Sequence, residues 1–190
     1  MAPSLIKREG NASVGDLGDL KGVEFVLTFE QKKGGLLARA RNAVSPADPD
    51  LIAGIGSGHM IVDSVSPKER RNAFNGTVRH LGDGRGDGSE VVVVDITQML
   101  EEDSDIDSIV LGGKISGEDG FSRVAGVNVK VFDTSGGERK PLGTVRFDIE
   151  SRDKAVYIGR LTRTPANTWL FHSRPEYGSD VMALMRRNMH

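Results

Sequence analysis

The sequence contains no cysteine, few aromatic residues and no long apolar run. The lack of cysteine excludes disulfides, zinc–thiolate sites and thiol catalysis. No apolar stretch approaches the roughly 20 residues of a membrane-spanning helix, and no secretory signal pattern is present, so we expect a cytoplasmic protein without a membrane span. The net charge of −2 at pH 7 provides no positive field that would attract nucleic acid, so we do not expect nucleic acid as a partner.

Glycine and short apolar segments dominate what is present. The 190 residues include 24 glycines, and hydrophobic residues make up 37% of the chain. Most of the apolar segments alternate with polar residues, which is the period of a strand with one buried face. We therefore predict an all-β protein, a two-sheet antiparallel β-sandwich of about ten short strands. The predicted strands include Val23–Phe29, Leu51–Ile55, Met60–Val65, Val91–Ile96, Ser108–Leu111, Asn128–Phe132, Val145–Ile149, Val156–Thr162 and Thr168–His172.

Two segments favour helix instead of strand. Thr97–Ser104 predicts a short internal helix with Thr97 as its N-cap, and Ser179–Asn188 predicts an amphipathic C-terminal helix capped by Ser179. Leu36–Val44 is ambiguous, since its pattern allows either a helix or a strand. The polar, glycine-punctuated start of the chain predicts an arm. We divide the chain into an N-terminal arm (1–22), a sandwich domain (23–178) and a C-terminal helix (179–190).

The stretch from His80 to Ile96 joins a glycine-rich loop to a buried strand. Four of the eight residues in Leu81–Gly88 are glycine, and they are interspersed with carboxylates. A loop of this kind, fixed by a rigid valine strand, is a candidate site for a hard cation such as calcium. It is not an EF-hand, because the twelfth position counted from Asp83 is Val94. The alternative is a glycine-rich connection with solvated acids.

No residue pattern predicts catalysis. The acids in Asp103–Asp107 and at Glu118 and Asp119 lie in polar turns, where we expect solvated carboxylates. The histidines His59, His80 and His172 have no metal-ligand spacing to one another, and we place His172 on the surface. No nucleophile elbow or phosphate-binding loop stands between a strand and a helix. We therefore predict that the chain is not an enzyme.

The order of motifs in the second half resembles the tellurium-resistance (Ter) stress-protein family. The resemblance is carried by the segments Gly82–Ile96, Asp107–Leu111, Gly120–Asp133 and Phe147–Phe171. It implies a calcium-binding β-sandwich without catalytic residues, connected with stress responses and resistance to tellurite. The positions that match the family's metal ligands are Asp48, Asp50, Asp83, Asp87 and Glu90.

Departures from the family pattern lead to two hypotheses. Gly84 and Ser89 replace an amide and an acidic residue of the metal loop, so the first hypothesis is a stress module that binds calcium weakly and works through protein partners. The second is a structural subunit of a larger assembly, such as a phage particle or contractile apparatus. It rests on the eroded metal loop and on the arm, which we expect to be tied down by adding a strand to a neighbour's sheet in a homo-oligomer or larger assembly.

Overall fold

Two antiparallel sheets pack face to face, as the alternation predicts. The computed structural model describes residues 6–9, 12–32, 47–83, 89–117, 119–147 and 152–189. The larger sheet has the order β1-β2-β13-β12-β9-β4-β5, with β14 also pairing with β12, and the smaller has the order β11-β10-β3-β8-β7-β6. The strands are β1 (Lys7–Glu9), β2 (Ala12–Asp16), β3 (Gly22–Gln31), β4 (Pro49–Ser57), β5 (Met60–Val65), β6 (Asn72–Ala73), β7 (Val78–Asp83), β8 (Glu90–Asp95), β9 (Ser108–Ile115), β10 (Val124–Asp133), β11 (Lys140–Phe147), β12 (Ala155–Arg163), β13 (Trp169–Ser173) and β14 (Glu176–Gly178). The helices are α1 (Ile96–Glu102) and α2 (Val181–Arg187), with 3-10 turns at Phe74–Gly76 and Gly120–Arg123.

The central strands of the larger sheet are buried on both faces. Along β4, Leu51, Ala53 and Ile55 belong to the core between the sheets, whereas Ile52 belongs to a second apolar cluster on the outer face. Helix α2 packs on this outer face and contributes Val181, Leu184 and Met185 to the cluster, which also includes residues of β9 and β12. Burial on both faces explains why β4 reads as a continuous apolar run instead of an alternating one.

The smaller sheet follows the simpler pattern of one buried face. In β10, Val127, Val129 and Val131 are buried in the main core, while Lys130 between them is exposed. Strand β11 repeats the pattern through Val145. The predicted half-buried strands are confirmed here, because period-two alternation places every second side chain toward the other sheet.

The glycine-rich stretch is less of a loop than the sequence predicts. Strand β7 runs through His80 and Leu81 to Asp83 and pairs with β8 in a hairpin. Gly82, with φ of 72°, lies at a register shift within this pairing. A glycine can adopt this conformation at a bulge while the strand continues. Residues 84–88 lie outside the described residues, as do the ambiguous segment 36–44 and Ile149 at the end of a predicted strand.

Both predicted helices are confirmed, and both predicted caps are wrong. Asp95, not Thr97, caps α1, because its carboxylate accepts the Gln98 amide N–H at 3.0 Å. Asp180, not Ser179, caps α2 by accepting the Ala183 amide N–H at 3.0 Å. In each case a carboxylate beside the expected residue satisfies the free amides of the first turn. None of the helices in the described residues is long and apolar enough to cross a membrane.

The N-terminal arm is held by its own chain. Its described part forms β1 and β2, and β2 pairs with β13 from Ser13↔Ser173 to Asp16↔Leu170. The arm therefore extends the larger sheet of the sandwich, where the sequence predicted a strand added to a neighbour's sheet. The tether that the second hypothesis assigned to a neighbouring subunit is supplied here by β13.

Candidate functional site

The start of β4, the end of β7 and the start of β8 meet at one end of the sandwich. Asp50 is the second residue of β4, and Glu90 is the first residue of β8. The backbone of Asp83, the last residue of β7, lies directly opposite Glu90 in the β7–β8 register. The fold therefore brings four of the five predicted ligand positions to the same end, which we call the acidic end (Asp48, Asp50, Asp83 and Glu90).

A buried histidine stands at the centre of the acidic end. His80 is 3% exposed, and its Nε2 lies 2.9 Å from the Leu51 carbonyl oxygen and 2.9 Å from Glu90 Oε2. On the other side of the ring, Nδ1 accepts the Gly82 amide N–H at 2.9 Å. Because Nδ1 accepts this hydrogen bond, the ring proton must be on Nε2.

The Nε2 proton is shared unequally between its two neighbours. It is aligned with the Leu51 carbonyl, whereas the approach to Glu90 Oε2 is electrostatic and is not an aligned hydrogen bond. Leu51 belongs to β4 of the larger sheet and His80 to β7 of the smaller, so the imidazole fastens the two sheets together. The pairing of β4 with β5 begins only at Ala53, so β5 does not pair with the backbone of Leu51, whose carbonyl oxygen lies against His80.

Asp50 faces away from this histidine toward a lysine. Lys68 Nζ donates a hydrogen bond to Asp50 Oδ2 at 3.0 Å. The side chain of Asp50 is only 9% exposed, whereas that of Lys68 is 61% exposed. A nearly buried carboxylate needs a compensating charge, and this ammonium supplies it. The cross-strand neighbour of Asp50 on β9 is a second lysine, Lys114.

The ammonium of Lys68 interacts with more than one carboxylate. Its hydrogen bond to Asp50 raises its pKa, burial opposes that shift, and the negative charges of Asp50, Asp48 and Glu90 add to it. Lys68 therefore lies within electrostatic reach of three of the five predicted calcium ligands. The sequence pattern alone did not connect Lys68 with the metal loop.

The turn that carries Lys68 is braced on several sides. Ser66 and Arg70 form a backbone bridge, and Ser66 Oγ accepts the Glu69 amide N–H at 3.2 Å. Arg70 also pairs with Asp63 at 2.6 Å. These contacts hold the turn between β5 and β6 in place, and with it the Cα position from which Lys68 extends toward β4.

The donors as described do not fit calcium. Calcium takes six to eight oxygen ligands. In the described residues Asp50 is committed to Lys68 and Glu90 lies against His80. No group of three or more His, Asp or Glu side chains that could hold a metal ion is found in the described part of the chain. Asp48 is exposed, and Asp87 lies outside the described residues, so the calcium set proposed from the resemblance stays a prediction.

A cavity of about 290 Å³ opens beside the Asp50–Lys68 pair. Ile52, Val181 and Met182 provide its apolar lining, and Lys114 lies on its polar side. Its walls come from β4, β9, the turn after β5 and the beginning of α2. The cavity therefore joins the outer face of the larger sheet to the acidic end.

The other acidic group noted in the sequence supports turns. Asp103 Oδ1 accepts the Asp105 amide N–H at 2.9 Å, and Asp107 Oδ2 accepts the Gly58 amide N–H at 2.9 Å. Asp103 thus caps its own loop, whereas Asp107 caps the turn between β4 and β5. His172 is exposed on β13 between buried neighbours, as predicted.

Comparison with known proteins places the fold. No family model matches the chain, and no curated protein matches it. A solved structure of SCO6318 from Streptomyces coelicolor A3(2), a homologue of telluride resistance protein (TerD), superposes with a TM-score of 0.62 at 21% identity, covering 90% of this chain and 97% of that one. The fold is Ter-like.

A second solved structure agrees with this assignment. SAV2460, described as a protein of unknown function, has a TM-score of 0.62 at 18% identity, covering 88% of this chain and 98% of its own. Both comparisons extend over nearly the whole of the other chain. The likeness is therefore one of complete domains, not of a shared hairpin or half-sandwich.

Proposed function

We propose that this chain is a non-enzymatic, Ter-like binding module that acts in the cytoplasm, through protein partners, in resistance to tellurite and related stress. The observation that carries the proposal is the convergence of Asp50, Glu90 and the Asp83 backbone at one end of a Ter-like sandwich. Asp50 lies on a different sheet from the hairpin that carries Asp83 and Glu90, and the fold brings it to them around buried charge. Buried ionic groups lower the stability of a fold, so a cluster of them points to a functional site.

The geometry of the acidic end supports binding over chemistry. His80 uses both ring nitrogens in contacts that fasten backbone and strand to each other, so the imidazole is occupied as a structural bridge. Asp50 is likewise held by Lys68. Groups committed in this way orient a surface for a partner and are poorly placed to move a proton to or from a substrate. Weak calcium binding remains part of the prediction.

The assembly-subunit hypothesis loses one of its two supports. It started from the eroded metal loop and from an arm that needed a neighbour to hold it, and β13 of the same chain holds the described part of that arm. We therefore retain the stress module as the proposal.

Deletion and complementation in the source organism test the proposed function. Loss of the gene is expected to lower the tellurite concentration that the cells tolerate, and the wild-type gene restores it. Asp50→Asn is expected to fail in complementation, whereas Glu176→Gln, which removes the exposed acid–base pair with Arg187, restores growth. A deletion strain that grows like its parent in tellurite and in peroxide would overturn the proposal.

A further inference from the structure

The acidic end raises a question of charge balance. A Ter-like fold with carboxylates at this position leads to the expectation of a metal ion, yet the described donors do not form a set that fits calcium. Buried or half-buried carboxylates still need a positive charge nearby. The chain contains that charge within itself.

We infer that the ammonium of Lys68 is the resident cation of the acidic end, doing for Asp50 and its neighbours what a bound metal ion would otherwise do. The contact is direct, with Nζ 3.0 Å from Asp50 Oδ2. This inference goes beyond the proposed function, because it concerns how the site is neutralised and not which process the protein serves.

The difference in exposure supports this role. The carboxylate of Asp50 is nearly buried while most of the Lys68 side chain remains in solvent. An ordinary surface pair is exposed on both sides, as in the pair between Arg187 and Glu176, whose side chains are 62% and 41% exposed. Lys68 therefore reaches from solvent into the site and places only its charged end against the acid.

The position of Lys68 in the chain supports the same role. It lies in the braced turn after β5, which also forms a wall of the adjacent cavity. Lys114 lies on the same cavity and directly opposite Asp50 in the β4–β9 register. The hydrogen bond to Asp50, however, comes from Lys68. The two lysines thus share a location and a charge, but only Lys68 donates a hydrogen bond to Asp50 in the described residues.

A divalent cation must compete with this ammonium. Calcium affinity rises with the number of charged ligands free to bind the ion. While Lys68 holds Asp50, one carboxylate is withheld and a positive charge stands beside the site, and both effects weaken cation binding. Removing the ammonium releases Asp50 and leaves the negative charges of Asp48, Asp50 and Glu90 without it.

Calorimetric titration of the full chain with calcium tests the inference. Lys68→Met is expected to bind calcium at least about tenfold more tightly than the wild type, a difference of about 1.4 kcal/mol. Lys114→Met, with the same change in charge and side chain, is expected to titrate like the wild type. The double variant Lys68→Met/Asp50→Asn is expected to lose the gain.

Two further measurements keep the test decisive. Lys68→Arg retains a cation and is expected to resemble the wild type, and Lys68→Gln serves in place of Lys68→Met if that variant does not fold. The melting temperature of Lys68→Met should also be higher with calcium than with a chelator, since a ligand that binds only the folded state stabilises that state. Equal calcium affinity in wild type and Lys68→Met, including no binding by either, would overturn the inference whatever the tellurite phenotype.

Discussion

Replacing His80 with leucine is expected to destabilise the fold strongly. The substitution keeps an apolar side chain of similar size but removes the contacts of Nε2 with Leu51 and Glu90 and of Nδ1 with Gly82. His80 and Glu90 are 0% and 3% exposed in their side chains, so the carboxylate would lose a partner that water does not replace. Leaving the buried Leu51 carbonyl and the buried Gly82 amide without their hydrogen bonds costs about 1–3 kcal/mol for each group. The melting temperature should fall by on the order of 10 °C.

Urea unfolding of four variants measures this effect. His172→Leu changes an exposed histidine on β13 and should stay within about 0.5 kcal/mol of the wild type. In His80→Leu/Glu90→Leu the buried charge is gone as well, so we expect at least about 2 kcal/mol to be recovered relative to His80→Leu, because apolar replacement of a whole buried pair is close to neutral. Glu90→Leu completes the cycle. Additive effects of the two substitutions, or a His80→Leu protein as stable as His172→Leu, would refute the bridging role of His80.

Three other perturbations test the packing. Burial raises the pKa of the Tyr157 hydroxyl to about 12, from an ordinary value of about 10. The buried protonated hydroxyl therefore contributes stability to the fold below pH about 10, and this contribution is lost as the pH rises to about 12. Titration of tyrosinate absorbance should show a late step that Tyr157→Phe abolishes. A Cβ at Gly112 would lie 2.5 Å from Val181 Cγ2, so Gly112→Ala should cost about 1–3 kcal/mol and make α2 sensitive to protease, unlike Gly136→Ala in an open turn. Deleting residues 1–16 removes β1 and β2 and uncovers the edge of β13, so light scattering should detect self-association; a shortened chain that behaves like the full chain would contradict the pairing.

Alternation was a reliable guide wherever one face of a strand is buried. It located β10 and β11, because polar residues such as Lys130 alternate with the buried valines. Alternation was a poorer guide to strand positions where glycine is frequent. The end of β7 was read as loop, since a bulge at Gly82 and a turn glycine look the same in the sequence. The helix caps were misplaced by one or two residues because several polar residues precede each helix and only backbone direction chooses among them.

The sequence predicted the acidic residues of the candidate site but not the residues with which they pair. Asp50 and Glu90 were named from the resemblance, and the fold does place them at one end of the sandwich. Their partners were not foreseen, because His80 reaches Glu90 only across a hairpin of unknown register and Lys68 reaches Asp50 only through a turn. Which charged side chains pair depends on strand register and on turn geometry. The spacing of these residues in the sequence specifies neither of the two.

A crystal structure of the wild-type protein grown with millimolar calcium tests the central claim most directly. The account predicts that Lys68 Nζ stays within hydrogen-bond distance of Asp50 and that no anomalous calcium peak lies within bonding distance of the Asp50 carboxylate. A calcium ion bound by Asp50, with the lysine side chain turned out into solvent, would contradict it.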